Sequence, residues 1–198
     1  MAIRNVLNRR IDAREQWGAI VFLLAGVLFS LVVIALFALG DAVADLVVEL
    51  TIAVVFVLVG ARLLAIQVGP AAPLSQLVTI GRLGAVVGLG GGVVVLGLLA
   101  LATTGIWESG ALLGAVWMVI LIALALAFLA IGGAGLRAAT IGRPLGGLLL
   151  LGGAALAIYV VNAVAIGIDP LGIGMMVVWA ISLLGIGIVR RSDRVTAA

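Results

Sequence analysis

Residues 111–131 read ALLGAVWMVILIALALAFLAI, an apolar run without a charged side chain, and this stretch decides the fold. A transmembrane helix needs about 20 predominantly apolar residues. Five more runs of this kind fill most of the chain. The sequence therefore predicts six spanning helices: Trp17–Leu39, Val43–Ile66, Leu83–Thr103, Ala111–Ile131, Leu145–Ile166 and Leu171–Val189. Because the runs are continuous rather than alternating with a period of two, they do not indicate a transmembrane β-barrel.

The composition of the chain also indicates that lipid, rather than water, surrounds it. Of the 198 residues, 66% are hydrophobic and only 10% are charged, whereas a soluble domain is roughly 45–50% apolar and about 25% charged. The chain has too few polar residues to cover a water-facing surface. We therefore expect an all-α polytopic membrane protein, with residues 1–198 forming a single six-helix domain and no room for a soluble one.

The charges alternate between the two sides of this membrane. All eleven basic residues are arginines, and they lie before the first span, around every second junction between spans and after the last span. They are Arg4, Arg9, Arg10, Arg14, Arg62, Arg82, Arg137, Arg143, Arg190, Arg191 and Arg194. The junctions between hold only acids, including Glu108 and Asp169. Basic residues in short loops mark the cytoplasmic side, so we expect a multi-pass protein of the cytoplasmic membrane with both termini inside.

This threading divides the chain into three helical hairpins, 17–66, 83–131 and 145–189. The second and third also share sequence. Thr79-Ile80-Gly81-Arg82 recurs as Thr140-Ile141-Gly142-Arg143, and at the same offset Gly91-Gly92 matches Gly152-Gly153. An arginine at the start of each hairpin is followed, one membrane thickness later, by an acid. The sequence thus predicts an internal repeat of a hairpin.

The three-hairpin plan resembles a known family. Trp17 opens the first span and is followed by Gly26-Val27-Leu28, and spans two, four and six close on glycines before an arginine. These closing segments are Gly60-Ala61-Arg62, 133–137 (GAGLR) and 185–190 (GIGIVR). In this respect the whole chain resembles the HdeD-like acid-resistance membrane proteins. The resemblance implies a small envelope protein with a stress-related role and no catalytic residues.

Three acids at the outer end of the second span are the candidate ion or proton site. Asp41, Asp45 and Glu49 recur every four residues and so share one helix face. Such carboxylates could collect cations or protons, or could simply stand in the headgroup zone. Glu49 distinguishes the two, because an ionisable group inside a span is a functional candidate by default.

Glycines and a few polar residues supply the remaining candidates. Small residues spaced by four let helices approach closely. The candidate packing positions are Gly84, Gly88, Gly92, Gly110 and Gly114. Tyr159 and Asn162, about one turn apart in the fifth span, are candidates for a small polar pocket.

Catalysis is not expected. The chain has no cysteine and no histidine, which removes thiolate and histidine-dependent nucleophilic catalysis and the usual zinc and haem ligands. We therefore predict no catalytic residues, no cofactor and no metal site.

The function expected is that of a non-enzymatic, stress-associated envelope protein acting through helix packing or oligomerisation. One alternative is a small proton or cation channel or transporter using the acids of the second span. Another is an accessory subunit of a larger membrane complex. The expected partners are membrane lipids, a second copy of the chain or another membrane protein, and no nucleic acid.

Overall fold

The computed structural model describes residues 2–39, 45–66, 75–104 and 111–195, with side chains described within 17–38, 46–66, 76–104 and 112–192. The described chain forms six α-helices. They are α1 (Ala2–Leu39), α2 (Asp45–Leu64), α3 (Ser75–Thr103), α4 (Ala111–Arg137), α5 (Arg143–Val161) and α6 (Asp169–Val195). A single π-helical turn, Asn162–Ile166, extends α5. Each helix is long and apolar enough to cross a membrane, so the prediction of an all-α, six-span membrane protein is confirmed.

The helices form a closed antiparallel ring. Each packs against the next in chain order, and α1 completes the ring against α6. The direction follows from paired positions, since Gly84 of α3 lies against Ala127 of α4 whereas Gly91, further along α3, lies against the earlier Ile120. Helices α2 and α4 also touch. Therefore α3 lies outside that pair, away from the centre of the ring.

Glycine occurs at the contacts between helices around the ring. At Gly92 a Cβ atom would lie 2.8 Å from Val57 of α2, and at Gly153 it would lie 2.9 Å from the Leu129 backbone nitrogen of α4. Between α1 and α6, Gly187 would bring a Cβ within 2.9 Å of the Leu23 backbone nitrogen. These distances are too short for a side chain, so the ring closes this tightly because the positions are glycine.

Apolar side chains fill the centre of the bundle and also cover its outside. Phe22, Phe128, Leu183 and Ile186 are completely buried, whereas the outer faces carry exposed residues such as Leu31. Further exposed hydrophobic side chains include Val94, Leu126 and Ile181. An outer surface of this kind is stable against lipid and not against water. The fold is thus that of an integral membrane protein.

The predicted spans agree with the helices, but some predicted junctions are wrong. Asp169 and Pro170, expected in a loop, open α6. Thr79–Gly81, expected in the longest connection, belong to α3, which begins at Ser75. The rest of that connection, 67–74, lies outside the described residues. Proline is tolerated in a first helical turn because it has no N–H to leave unbonded there, which explains Pro170.

The second and third hairpins, which form the predicted repeat, differ in their opening segments and correspond at their paired glycines. Thr79–Arg82 is helical, whereas Thr140–Gly142 forms the turn before α5. The paired glycines correspond more closely. Gly91 faces α4 and Gly92 faces α2. In the third hairpin, Gly152 lies against Ser182 of α6 as well as Phe128 of α4, and Gly153 faces α4. In both hairpins the second glycine therefore packs on the preceding helix.

Candidate functional site

A cavity of about 250 Å³ lies in one half of the bundle. Its wall comes from α1, α2, α4, α5 and α6, and every described helix except α3 contributes. The wall is aromatic on several sides, with Phe29, Phe56, Trp117, Tyr159 and Trp179. Aliphatic and thioether side chains, among them Ile52, Leu156 and Met175, complete it together with the carboxyl group of Glu49. We call this cavity the aromatic chamber.

The chamber lies toward the end of the bundle opposite the described arginines. Its residues come from the final third of α1, the end of α5 and the beginnings of α2, α4 and α6. Asp169 lies at this same end, in the first turn of α6. The described arginines belong to the other helix ends: Arg62, Arg82, Arg137, Arg143, Arg190 and Arg191. The chamber is therefore on the acidic side of the protein.

Perpendicular ring contacts hold the aromatic wall together. The rings of Phe29 and Trp179 meet edge to face with their centroids 4.6 Å apart. Phe56 meets Trp179 at 5.7 Å and Trp117 at 5.5 Å in the same manner. Edge-to-face pairs are worth about 0.5–1.5 kcal/mol each beyond their buried area. These contacts connect α1, α2, α4 and α6, so the chamber wall is also part of the core.

Glu49 is the member of the predicted acidic stripe that the structure places at the site. It lies four residues inside α2 and is partly buried in the chamber wall. Asp45 begins α2, but its side chain is outside the described set, and Asp41 lies outside the described residues altogether. The prediction that all three carboxylates act together therefore stays a prediction, whereas Glu49 has a definite location.

The predicted polar pocket separates into two different roles. Tyr159 lines the chamber. Asn162 is 5% exposed and is not among the lining residues. Its side-chain amide instead donates to the Ile168 carbonyl at 3.0 Å and accepts from the Ile168 N–H at 3.1 Å. Asn162 thus closes the π-helical turn between α5 and α6, and Tyr159 is the residue of the pair that contributes to the site.

Below the chamber, toward the arginine end, the described core is apolar. Leu183, Leu149 and Ile186 have no exposed surface. The described buried polar residues are Asn162 and Ser182, and the Ser182 hydroxyl donates to the Val178 carbonyl of its own helix at 2.8 Å. Within the described bundle, therefore, the chamber ends at packed side chains and no line of polar groups continues from it.

Most of the predicted packing glycines contact other helices of the same chain. A Cβ at Gly84 would overlap the Ala123 carbonyl oxygen of α4, and one at Gly88 would overlap Leu124. Gly92 instead faces α2, because each step of four residues advances about 40° around a helix with 3.6 residues per turn. Gly114 has open space around it, and Gly110 lies outside the described residues.

Sequence reasoning missed the aromatic residues that build the site. Trp117 and Trp179 fall well inside their spans, although tryptophan in membrane proteins prefers the interface. Tryptophans away from the interface in two different helices were an available signal. Nothing in the linear sequence brings them together with Phe29 and Phe56, because that requires the order of helices around the ring.

The fold and the chamber define a polytopic membrane protein with a cavity of ligand size. Comparisons of the chain with protein-family models, curated proteins and solved structures give no match. The nature of the chamber therefore has to be argued from its own residues. Its wall has one carboxyl group, one phenol and several aromatic rings. Among the described residues no group of three or more histidine, cysteine, aspartate or glutamate side chains could hold a metal ion.

Proposed function

We propose that this protein is a non-enzymatic membrane protein of the cell envelope that binds a small membrane-soluble molecule in the aromatic chamber. The cavity itself carries the proposal. Protein interiors contain few voids larger than a water molecule, and a dry apolar cavity of about 150 Å³ is enough to bind benzene. A chamber of about 250 Å³ in a ring closed by glycine contacts supports a binding role.

The chemistry of the wall supports binding rather than catalysis. Small-molecule sites are mostly apolar and aromatic, with a few polar groups that fix orientation. The chamber has this composition, with Glu49 and Tyr159 among many carbon atoms. Covalent catalysis would need a nucleophile and a base placed together, and cysteine and histidine are absent from the sequence.

The cytoplasmic membrane and the inward direction of the termini belong to the same proposal. The described arginines gather at one end of the ring, and arginine-rich short loops favour the cytoplasmic side. The chamber would then lie in the outer half of the membrane. Lipids surround the apolar exterior in this arrangement, and a ligand could reach the chamber from the outer leaflet.

Two functions expected from the sequence receive different support. For a cation or proton channel, Glu49 in the chamber is favourable, but the apolar core below it offers no polar route. For packing or oligomerisation, the contacts of Gly84 and Gly88 hold α3 to α4 within one chain. A homo-oligomer, a stress-related role of the HdeD-like kind or a place in a larger complex would use the outer helix faces.

The binding function is tested with a neutral brominated arene, 4-bromo-tert-butylbenzene. Bromine quenches indole fluorescence on contact, so a bound molecule quenches Trp117 and Trp179. The measurement uses purified protein in lipid nanodiscs, with Trp17 and Trp107 replaced by phenylalanine. Saturable quenching is expected. Leu121→Phe adds bulk to the chamber wall without adding an indole, and it should abolish saturation of the Trp117 and Trp179 signal.

The matched control is Leu126→Phe on the same helix. Leu126 is 48% exposed on the outer face, so this variant adds an equal bulk without touching the chamber. It should bind like the parent. Quenching that rises linearly with the arene and is equal in all variants would show partition into lipid alone and would overturn the proposal.

A further inference from the structure

We infer that the ligand enters the aromatic chamber sideways, between the outer halves of α1 and α6, and that the Met176 side chain controls this entrance. The inference rests on the proposed binding function and adds to it a route and a residue that sets the rate of exchange. It is carried by a second cavity, by the position of that cavity along the contact between α1 and α6, and by a residue that the two cavities share.

The second cavity has a volume of about 70 Å³. Its described lining is apolar throughout and comes from α1 and α6: Val33, Leu36, Phe37, Ile173 and Met176. Leu36 is 39% exposed and Phe37 is 63% exposed, so the cavity borders the apolar outer surface of the bundle. We call this cavity the side groove.

The contact between α1 and α6 is tight toward the arginine end of the bundle. A Cβ atom at Gly187 would lie 2.9 Å from the Leu23 backbone nitrogen, and one at Gly26 would lie 3.0 Å from the Leu184 backbone nitrogen. The side groove lies beyond these contacts, where α1 approaches its end and α6 begins. The gap between the two helices is therefore in the same half of the protein as the chamber.

Met176 lies at the boundary between the side groove and the chamber, because it lines both of them. The two linings also follow each other along the same helices. On α1, Phe29 lines the chamber and Val33, about one turn further outward, lines the groove. On α6, Trp179 lines the chamber and Ile173 lines the groove. The two spaces are thus consecutive along one contact between helices.

Methionine is suited to a movable boundary. Its side chain is unbranched and has three rotatable bonds, so it adapts its shape at little cost. Met176 is partly buried, and the side groove provides space into which its thioether can turn. A neutral apolar ligand that passes through the groove meets hydrocarbon and sulfur along its described lining, and it needs no water on the way. Turning this side chain aside joins the groove to the chamber.

The test measures rates as well as affinity. The protein, with Trp17 and Trp107 replaced by phenylalanine, is mixed rapidly in lipid nanodiscs with 4-bromo-tert-butylbenzene. The time course of Trp117 and Trp179 quenching gives the rate of entry. Mixing the loaded protein with an excess of empty nanodiscs gives the rate of release.

Ile173→Phe narrows the side groove and leaves the chamber wall alone, because Ile173 lines the groove and is not among the described lining residues of the chamber. Entry and release should both slow by roughly five- to a hundredfold, the range of rates to which the usual cost of overpacking corresponds. The equilibrium affinity should stay close to that of the parent, because a narrower entrance slows both directions equally.

The matched control is Val177→Phe. Val177 is an exposed residue of the same helix and is not among the described lining residues of either cavity. This variant should exchange the probe at the parent rates.

Met176→Ile tests the boundary residue itself. Isoleucine has a similar size but is branched at Cβ and therefore stiff at χ1. Entry and release should both be slower than in the parent, with an affinity close to the parent value. This variant also keeps the inference open to refutation if Ile173→Phe does not fold.

The outcomes separate the inference from the function on which it rests. Parent rates in Ile173→Phe would place the entrance elsewhere, and parent rates in Met176→Ile would remove the controlling role of Met176; either result overturns the inference. Equal slowing in Val177→Phe would indicate a general effect on α6 and would overturn it as well. So would a weaker affinity of Ile173→Phe at an unchanged rate of entry. No saturable quenching in the parent would instead remove the proposed function itself.

Discussion

Asn162 and Ile168 form a reciprocal pair in which one side-chain amide satisfies both backbone groups of the other residue, at 3.0 and 3.1 Å. The pair spans the widened turn where α5 ends and Gly167 takes a positive φ of 70°. A Cβ at Gly172 would lie 3.1 Å from the Asn162 nitrogen, so the amide also rests against α6. Asn162 therefore fixes the connection between α5 and α6.

We predict that Asn162→Leu destabilises the protein by about 1–3 kcal/mol, because the Ile168 N–H loses its acceptor at about this cost. The Ile168 carbonyl still accepts from the N–H groups of Leu171 and Gly172. The measurement is the unfolding midpoint in a mixed-micelle titration with sodium dodecyl sulfate. Val161→Leu is the control, since Val161 is exposed on the adjoining position and should leave the midpoint unchanged. Equal midpoints for the two variants would contradict a fixing role for Asn162.

Gly84 and Gly97 of α3 give a second matched pair. A Cβ at Gly84 would overlap the Ala123 carbonyl oxygen, whereas at Gly97 it would meet no atom within 4 Å. Gly84→Ala is expected to cost about 1–3 kcal/mol, as overpacking usually does, because a backbone carbonyl cannot move aside. Gly97→Ala should be neutral or slightly stabilising, since alanine favours helix over glycine. Equal stabilities of the two variants would contradict the interpretation that Gly84 allows the close contact between α3 and α4.

Gly18 and Arg62 are in contact between α1 and α2, and a Cβ at Gly18 would overlap the Arg62 guanidinium. This neighbour is the end of a flexible side chain, so Gly18→Ala should cost less than Gly84→Ala. A double-mutant cycle with Arg62→Ala measures the coupling. Part of the cost of Gly18→Ala should disappear in the Arg62→Ala background. Additive effects of the two changes would show that they do not interact.

The orientation of the protein in the membrane can be measured with single cysteine substitutions, because the natural chain has no cysteine. Asp169 and Arg82 are both exposed, at opposite ends of the ring. With the proposed orientation, a membrane-impermeant maleimide should label Asp169→Cys in intact cells. It should label Arg82→Cys only after the membrane is permeabilised. The reverse pattern would place the chamber toward the cytoplasm and would contradict the assignment of the arginine end.

Six spans could be predicted from the sequence because lipid imposes a requirement on every residue of a run, so hydropathy and length suffice. The exact helix ends could not be predicted, because Asp169-Pro170 and Thr79–Gly81 carry turn-like composition yet belong to helices. Glu49 was identifiable as an ionisable group inside a span. Its aromatic surroundings were not, because they depend on α1 closing against α6, a contact between the two ends of the chain.

Trp179 joins the packing of the core to the proposed site. Its ring meets Phe29, Phe56 and Phe128 edge to face, and its buried indole N–H has no hydrogen-bond acceptor among the described residues. Trp179→Ala is expected to cost about 3–5 kcal/mol, as large-to-small core changes do. Trp179→Phe should cost clearly less, because it keeps a ring and, within the described structure, breaks no hydrogen bond.

The Trp179 variants can also be compared by how much a bound ligand stabilises them. Binding to the folded state alone raises the unfolding midpoint with ligand concentration. The neutral probe 4-bromo-tert-butylbenzene should therefore stabilise the parent and, more weakly, Trp179→Phe, whose smaller ring leaves a wider chamber with fewer contacts. Trp179→Ala should gain least at the same concentration. An equal ligand-induced shift in all three proteins would place the bound molecule away from Trp179, whatever the substitutions do to stability in its absence.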